Sequence, residues 1–234
     1  MEEMRKTLAA GLPELGLSLT DEQQDTLCRF GEAVIRQNEV MNLTAITDRV
    51  QVAKLHLLDS LTVLTQVNLK GKKLIDVGCG AGFPGVPVAI GCPEAKVTLL
   101  DSLGKRVHWL EETLPALGVQ AECITARAEE AVADRREQYD VATSRAVARL
   151  NILLELTAPY VKVGGCVVAM KGSAAMEELA ECDGAIRKLG LKLETVKHFD
   201  IDGADHSLIV LRKIAPTPKA YPRRYARIKQ APLK

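Results

Sequence analysis

Hydrophobic positions along the chain change their period once, near Gly71. Ahead of it they recur at helical spacing. Leu27, Phe30, Val34 and Met41 fall on one face, and Thr20-Asp-Glu-Gln23 has the form of a capping box, so a helix is expected from Thr20 to about Asn42. A second amphipathic stretch, roughly Asp48 to Val67, contains His56-Leu-Leu-Asp-Ser-Leu61. Its His56, Asp59 and Ser60 share a face opposite Leu57 and Leu61, read as a solvated polar face or as a cover over a site. No strand pattern occurs in residues 1–67, which read as an α-helical N-terminal extension.

After Gly71, short runs rich in Val and Ile alternate with longer helical patterns, the signature of βαβ units. Strands are expected at 73–77, 96–101, 120–125, 139–144, 165–171, 192–199 and 207–213. Helices are expected at 105–117, 150–160 and 174–189. The last two strands are separated only by the turn Asp202-Gly203-Ala204-Asp205, so the final strand should insert antiparallel into an otherwise parallel sheet. The expectation is a Rossmann-like, doubly wound α/β domain over 68–214 with a seven-stranded, mostly parallel sheet, followed by a tail, 215–234.

Sheets of this kind bind ligands beyond the carboxyl ends of their strands. The polar residues expected there are Asp76 to Gly82, Asp101 with Ser102, Ala126 to Glu130, and Ser144 with Arg145. Gly80-x-Gly82-x-x-Gly85 has the spacing of a dinucleotide turn, whereas Asp76-x-Gly78-x-Gly80-x-Gly82 is the form that holds S-adenosylmethionine. Asp76 separates them: a carboxylate at the strand end opposes a pyrophosphate and suits an ammonium and a sulfonium. Asp101 closes the second strand 23 residues after Gly78, where an acid accepts both ribose hydroxyls or caps the next helix. A class I S-adenosylmethionine-dependent methyltransferase is preferred to an NAD-dependent oxidoreductase.

Composition adds exclusions. The 234 residues are 47% hydrophobic, enough for one domain with an appendage, and the net charge of +1 excludes a globally basic nucleic-acid coat. The first residues lead into no long apolar run, so neither a secretory leader nor a membrane span is expected, and a cytoplasmic protein is. Six cysteines without a C-x-x-C pair suggest neither a zinc site nor disulfides. Charge is concentrated at the end: residues 215–234 carry six basic side chains and no acid. Arg223, Arg224, Arg227 and Lys229 are candidate RNA contacts, with Tyr221 and Tyr225 interleaved to stack on bases.

These motifs together resemble a known family. Asn42-Leu-Thr-Ala-Ile46, His56 to Leu61, Asp76-Val-Gly-Cys-Gly-Ala-Gly-Phe-Pro-Gly-Val-Pro87, Leu100-Asp-Ser-Leu103, Ser144-Arg-Ala146, Met170-Lys-Gly172 and Tyr221-Pro-Arg-Arg224 are similar to the bacterial ribosomal small-subunit RNA methyltransferase G family, also called glucose-inhibited division protein B. The resemblance spans nearly the whole chain. It implies methylation at N7 of one guanine of 16S rRNA, called G527, in the 530 loop, on naked RNA or the 30S subunit. It implies cofactor contacts at Gly78, Phe83, Asp101, Ser102, Leu103, Ala128, Glu129 and Arg145, to which the acid and glycine pattern adds Asp76, Gly80 and Gly82. The tail departs from many members, which carry a glycine and a further proline between Arg224 and Leu233.

Guanine N7 has an in-plane lone pair, so its methylation needs no general base. The chain has neither an N-P-P-Y motif nor a Pro-Cys nucleophile, and catalysis is expected to rest on alignment. Arg145 is the candidate catalytic residue, as an orderer of cofactor or pocket rather than a surface ion pair. Lys171 is read as a phosphate contact or a solvated strand-end cation. A monomer is expected, and a different RNA or a non-RNA substrate is the alternative.

Overall fold

The computed structural model describes residues 1–234. Helices α1 (Glu2–Glu14) and α2 (Asp21–Met41) lead into a helical run made of α3 (Arg49–Val52), a π-helical segment (Ala53–Leu58), α4 (Asp59–Leu61) and α5 (Val63–Gln66). The α/β part comes next, in the order β1 (Lys73–Val77), α6 (Gly85–Gly91), β2 (Lys96–Asp101), α7 (Gly104–Ala116), β3 (Glu122–Thr125), α8 (Ala128–Ala131), β4 (Tyr139–Arg145) and α9 (Leu150–Thr157). It continues with a 3₁₀ turn (Ala158–Tyr160), β5 (Val161–Lys171), α10 (Ala175–Ala180), α11 (Asp183–Lys188), β6 (Leu191–Ile201), β7 (Ala204–Lys213) and α12 (Tyr225–Gln230).

The start of α2 is set by its capping box: Gln23 N–H donates to Thr20 Oγ1 at 3.2 Å, and Thr20 N–H donates back to Gln23 Oε1 at 2.9 Å. Asn42 ends it in the left-handed conformation, φ 50°. The helix expected at 174–189 is two, broken at Glu181 and Cys182. The strand expected from Gln120 begins at Glu122.

The seven strands lie in the order β3-β2-β1-β4-β5-β7-β6. β7 alone runs against the other six strands, because the tight Asp202-Gly203 turn returns the chain directly from β6. Side chains on both faces of β1, β4 and β5 are buried, as a sheet covered on two sides requires. One face packs α1, α2, the π-helical run, α6 and α7; the other packs α9, α10 and α11. The N-terminal helices thus share a core with the sheet. Within that layer α1 packs closely on the π-helical segment at Gly11, where a Cβ would stand 2.4 Å from Leu58 Cδ1.

The π-helical turn alters the expected amphipathic pattern. An extra residue per turn shifts the phase of every residue after it in the run, and His56, Asp59 and Ser60 are buried together with Leu57 and Leu61. The reading of a solvated polar face is therefore corrected: these groups point inward. No helix is long and apolar enough to cross a membrane.

The tail is also more structured than its charge suggested. Arg136 donates to the backbone carbonyls of Thr217 and Tyr221, and Ile228 and Leu233 are buried. Arg223 donates from Nε at 2.8 Å and Nη2 at 2.6 Å to the two oxygens of Glu155, whose side chain is fully buried on α9.

Candidate active site

A cleft of about 980 Å³ runs along the carboxyl ends of the strands. Its position is dictated by topology: the chain leaves β1 toward β2 on one side and reaches β4 on the other, so the loops after β1 and β4 diverge. Of the residues expected to bind a cofactor, Gly78, Gly80, Phe83, Asp101, Ser102, Leu103, Ala128, Glu129 and Arg145 all line this cleft. Asp76 and Gly82 do not.

The glycine turn is built by backbone that other residues resist. Gly78, Gly80 and Gly82 have φ of 76°, 56° and 95°. A Cβ on Gly78 would meet Val147 Cγ2 at 2.4 Å, whereas one on Gly80 would have only Arg106 Nη1 nearby, at 3.9 Å. Gly80 is thus the point where a ligand can approach bare backbone. Asp101 fixes it there: Oδ2 accepts from Gly80 N–H at 2.9 Å and Oδ1 accepts from Leu103 N–H at 2.8 Å. Each carboxylate oxygen thus accepts one backbone hydrogen bond at the cleft wall. Ala128 is positioned by Tyr160, whose hydroxyl donates to its carbonyl at 2.6 Å.

Asp76 plays a different part from the one its sequence position suggested. It is fully buried, and its Oδ2 accepts from Gly85 N–H, the first residue of α6, at 2.7 Å. The helix N-terminus that would receive a pyrophosphate is therefore closed by the protein's own carboxylate. Burial raises its pKa to about 7, and Oδ1 has no hydrogen-bond partner.

The other half of the cleft is organised around Arg145. Its Nη1 donates to Leu55 O at 2.9 Å and to Asp59 Oδ2 at 3.0 Å, and the guanidinium carbon lies 5.0 Å from the Phe83 ring centre. Asp59 Oδ1 is 2.9 Å from His206 Nδ1. His56 stacks on Phe83 at 4.7 Å and meets Thr44 Oγ1 at 2.7 Å through Nε2. Burial, then the adjacent Arg145, pushes His56 down to about 4, so it is neutral near pH 7; its Nδ1 lies 3.0 Å from Leu55 O and 3.2 Å from Arg145 Nη2. The bond to Asp59 raises the His206 pKa.

Arg145 is not a surface pair: its side chain is 18% exposed and contacts Asp59, Leu55 and Phe83. Lys171 neither stands free nor is solvated, for it pairs with Glu178 at 2.8 Å and donates to Ala148 O. In the tail, Arg224, Arg227 and Lys229 are exposed, Arg223 is committed to Glu155, and Tyr225 lines the cleft. Sequence reasoning missed Glu155 and His206. A lone acid in the apolar Leu150–Thr157 helix was a signal for the first; His206, in an alternating strand, gave none.

A Rossmann-like sheet of this strand order, with a glycine turn and an acid at the end of β2, defines the class I S-adenosylmethionine-dependent methyltransferases. Solved structures agree on the fold: TYW2 of M. jannaschii in complex with AdoMet has a TM-score of 0.52 at 17% identity, covering 63% of this chain and 72% of that one. A putative methyltransferase from Bacillus halodurans gives 0.53 at 16% identity, covering 67% and 99%. The chain belongs to the rRNA small subunit methyltransferase G family, whose model matches residues 23–208. Ribosomal RNA small subunit methyltransferase G of Acetivibrio thermocellus is 42% identical, covering 99% of this chain and 97% of the relative. That of Lactobacillus johnsonii is also 42% identical, covering 96% and 98%.

Proposed function

We propose that the protein transfers a methyl group from S-adenosylmethionine to N7 of a single guanine in the 530 loop of 16S rRNA. The observation that carries this reading is one continuous cleft, in a member of this family, whose two halves differ in chemistry. The Gly78–Gly80 turn, Asp101, Ser102 and Leu103 suit a nucleoside; the rest of the lining, which includes His206 and Tyr225, offers ring surface to a base, with Arg145 engaged by the protein itself.

S-adenosylmethionine supplies an electrophilic methyl group on a sulfonium. The protein's task is to hold N7 in line with that methyl and to exclude water. No proton has to be removed from N7, and no side chain here is poised as a nucleophile: burial holds the Cys79 thiol well above its usual pKa. Arg145 is kept from the target by Asp59 and Leu55, so its charge orders Phe83 and His56 without donating to N7. A looped, splayed RNA fits such a cleft, because an A-form helix hides N7 in its deep groove. Arg224, Arg227 and Lys229 supply phosphate contacts. The protein acts as a cytosolic monomer with no metal.

The test is incubation of the protein with methyl-labelled cofactor and either 30S subunits or naked 16S rRNA, followed by mapping of the labelled base. Label on guanine N7 in that loop is expected. Label on another base, on another RNA or in protein sinks the substrate assignment.

A further inference from the structure

We infer that His206 reads the target base, its Nε2 accepting the N1–H of the guanine; this rests on the guanine-N7 reading above. His206 stands at the start of β7, four strand spacings from β2 along the sheet, so it lies about 19 Å from the Asp101 end of the cleft. Its Nδ1 is held by Asp59 Oδ1, and Asp59, whose side chain is 3% exposed, is itself held by Arg145. This carboxylate fixes ring orientation and tautomer: Nδ1–H points at Asp59, and Nε2, which has no protein partner, is left to the cleft. Gln51 and Lys54 bind Asp202 at the tip of the β6–β7 hairpin and hold the strand in place.

The side chains bonded into this corner do not compete with it as acceptors. Arg145 has only donors, both nitrogens of His56 are engaged, and Asp59 uses one oxygen on each partner. Guanine carries N7 on its Hoogsteen edge and N1–H on the adjoining Watson–Crick edge, so a base with N7 toward the methyl presents N1–H to a different wall of the cleft. An acceptor there selects guanine over adenine, whose N1 is a lone pair. The interaction also strengthens during reaction. As the methyl bonds to N7 the ring becomes cationic and its N1–H a stronger donor, so the bond to Nε2 stabilises the transition state more than the bound substrate.

The charged groups facing the ring are Asp59, Arg145 and Asp205. The experiment measures kcat/KM against pH for the full chain with 30S subunits, in wild type, His206→Ala and His206→Gln. Wild-type kcat/KM is expected to fall as pH drops through the raised imidazole pKa, because an imidazolium has no lone pair. His206→Ala should lose about tenfold or more at about pH 8.5. His206→Gln should recover part of that loss through Oε1 and lack the histidine's share of the acid limb. Asp76, at about 7, titrates in every variant, so that share is read as the difference between the wild-type and His206→Gln profiles, and identical acid limbs in the two overturn the inference. A wild-type rate that rises on acidification, or His206→Ala within about twofold of wild type, overturns it too. Calorimetric binding of S-adenosylmethionine checks that each variant is folded; if His206→Ala is not, the other two profiles decide. Wild-type label on a different base defeats the guanine-N7 reading instead.

Discussion

Asp59 and Arg145 meet at 3.0 Å across 86 residues of sequence, and neither side chain is more than 18% exposed. Removing one member of such a pair leaves the other charged without its partner. Asp59→Ala is expected to destabilise the protein by about 3 kcal/mol in urea unfolding. The double variant Asp59→Ala, Arg145→Met should recover part of that; if it is no more stable than the single variant, the pair is not what holds this corner.

Gly78 and Gly80 separate conformation from ligand access. Both have positive φ, so alanine at either costs about 1–2 kcal/mol of backbone strain. Only Gly78→Ala also drives a methyl into Val147. Gly78→Ala is expected to melt at a clearly lower temperature than Gly80→Ala, while calorimetry should find cofactor affinity reduced at least as much in Gly80→Ala.

Asp101→Asn retains the shape of the β2 end but leaves one oxygen for the two backbone donors, Gly80 and Leu103, and none for ribose hydroxyls. Affinity for S-adenosylmethionine should drop between about tenfold and a hundredfold. Titration calorimetry of the purified variant gives the answer, and an unchanged Kd removes Asp101 from the cofactor site.

Asp76 makes stability depend on pH in an unusual direction. Its folded pKa, about 7, lies above the ordinary 3.8, so between those values the native state holds a proton that the unfolded chain has released. Its contribution therefore declines as pH rises from about 4 to about 7, by up to about 4 kcal/mol. Comparing urea unfolding of wild type and Asp76→Asn across that range isolates the effect. A difference that does not move against wild type with rising pH contradicts it.

The four tail residues expected to contact RNA should divide into two kinds. Arg223→Ala strands a fully buried Glu155 carboxylate and is expected to cost about 3–5 kcal/mol in stability. Arg224→Ala, Arg227→Ala and Lys229→Ala should leave the melting temperature alone and each lower the salt dependence of RNA binding by about one phosphate contact.

Strand positions were legible because alternation and apolar runs are local properties that a covered parallel sheet reads directly. The glycine turn and Asp101 were legible for a related reason, since their function depends on spacing within one βαβ unit. Hidden from the sequence were contacts whose partners lie far away. His56, Asp59 and Ser60 looked solvated because a regular helical wheel does not anticipate the wide turn at Ala53–Leu58. Asp76 was rightly singled out as acidic chemistry at the strand end, yet its partner proved to be a backbone N–H nine residues on. Arg223 resembled its exposed neighbours in the tail because nothing local reveals Glu155, 68 residues upstream.

The cleft is lined by residues from Leu43 to Tyr225, so its wall is assembled from nearly the entire length of the polypeptide. Contacts of such sequence separation carry a large loop-closure cost and need most of the chain in place. Partly folded forms therefore hold neither methyl donor nor RNA productively, and cofactor binding serves as a reporter of complete folding. A proteolytic nick that spares every residue named at the site should still silence it, provided the nick lets α12 or the π-helical run drift away.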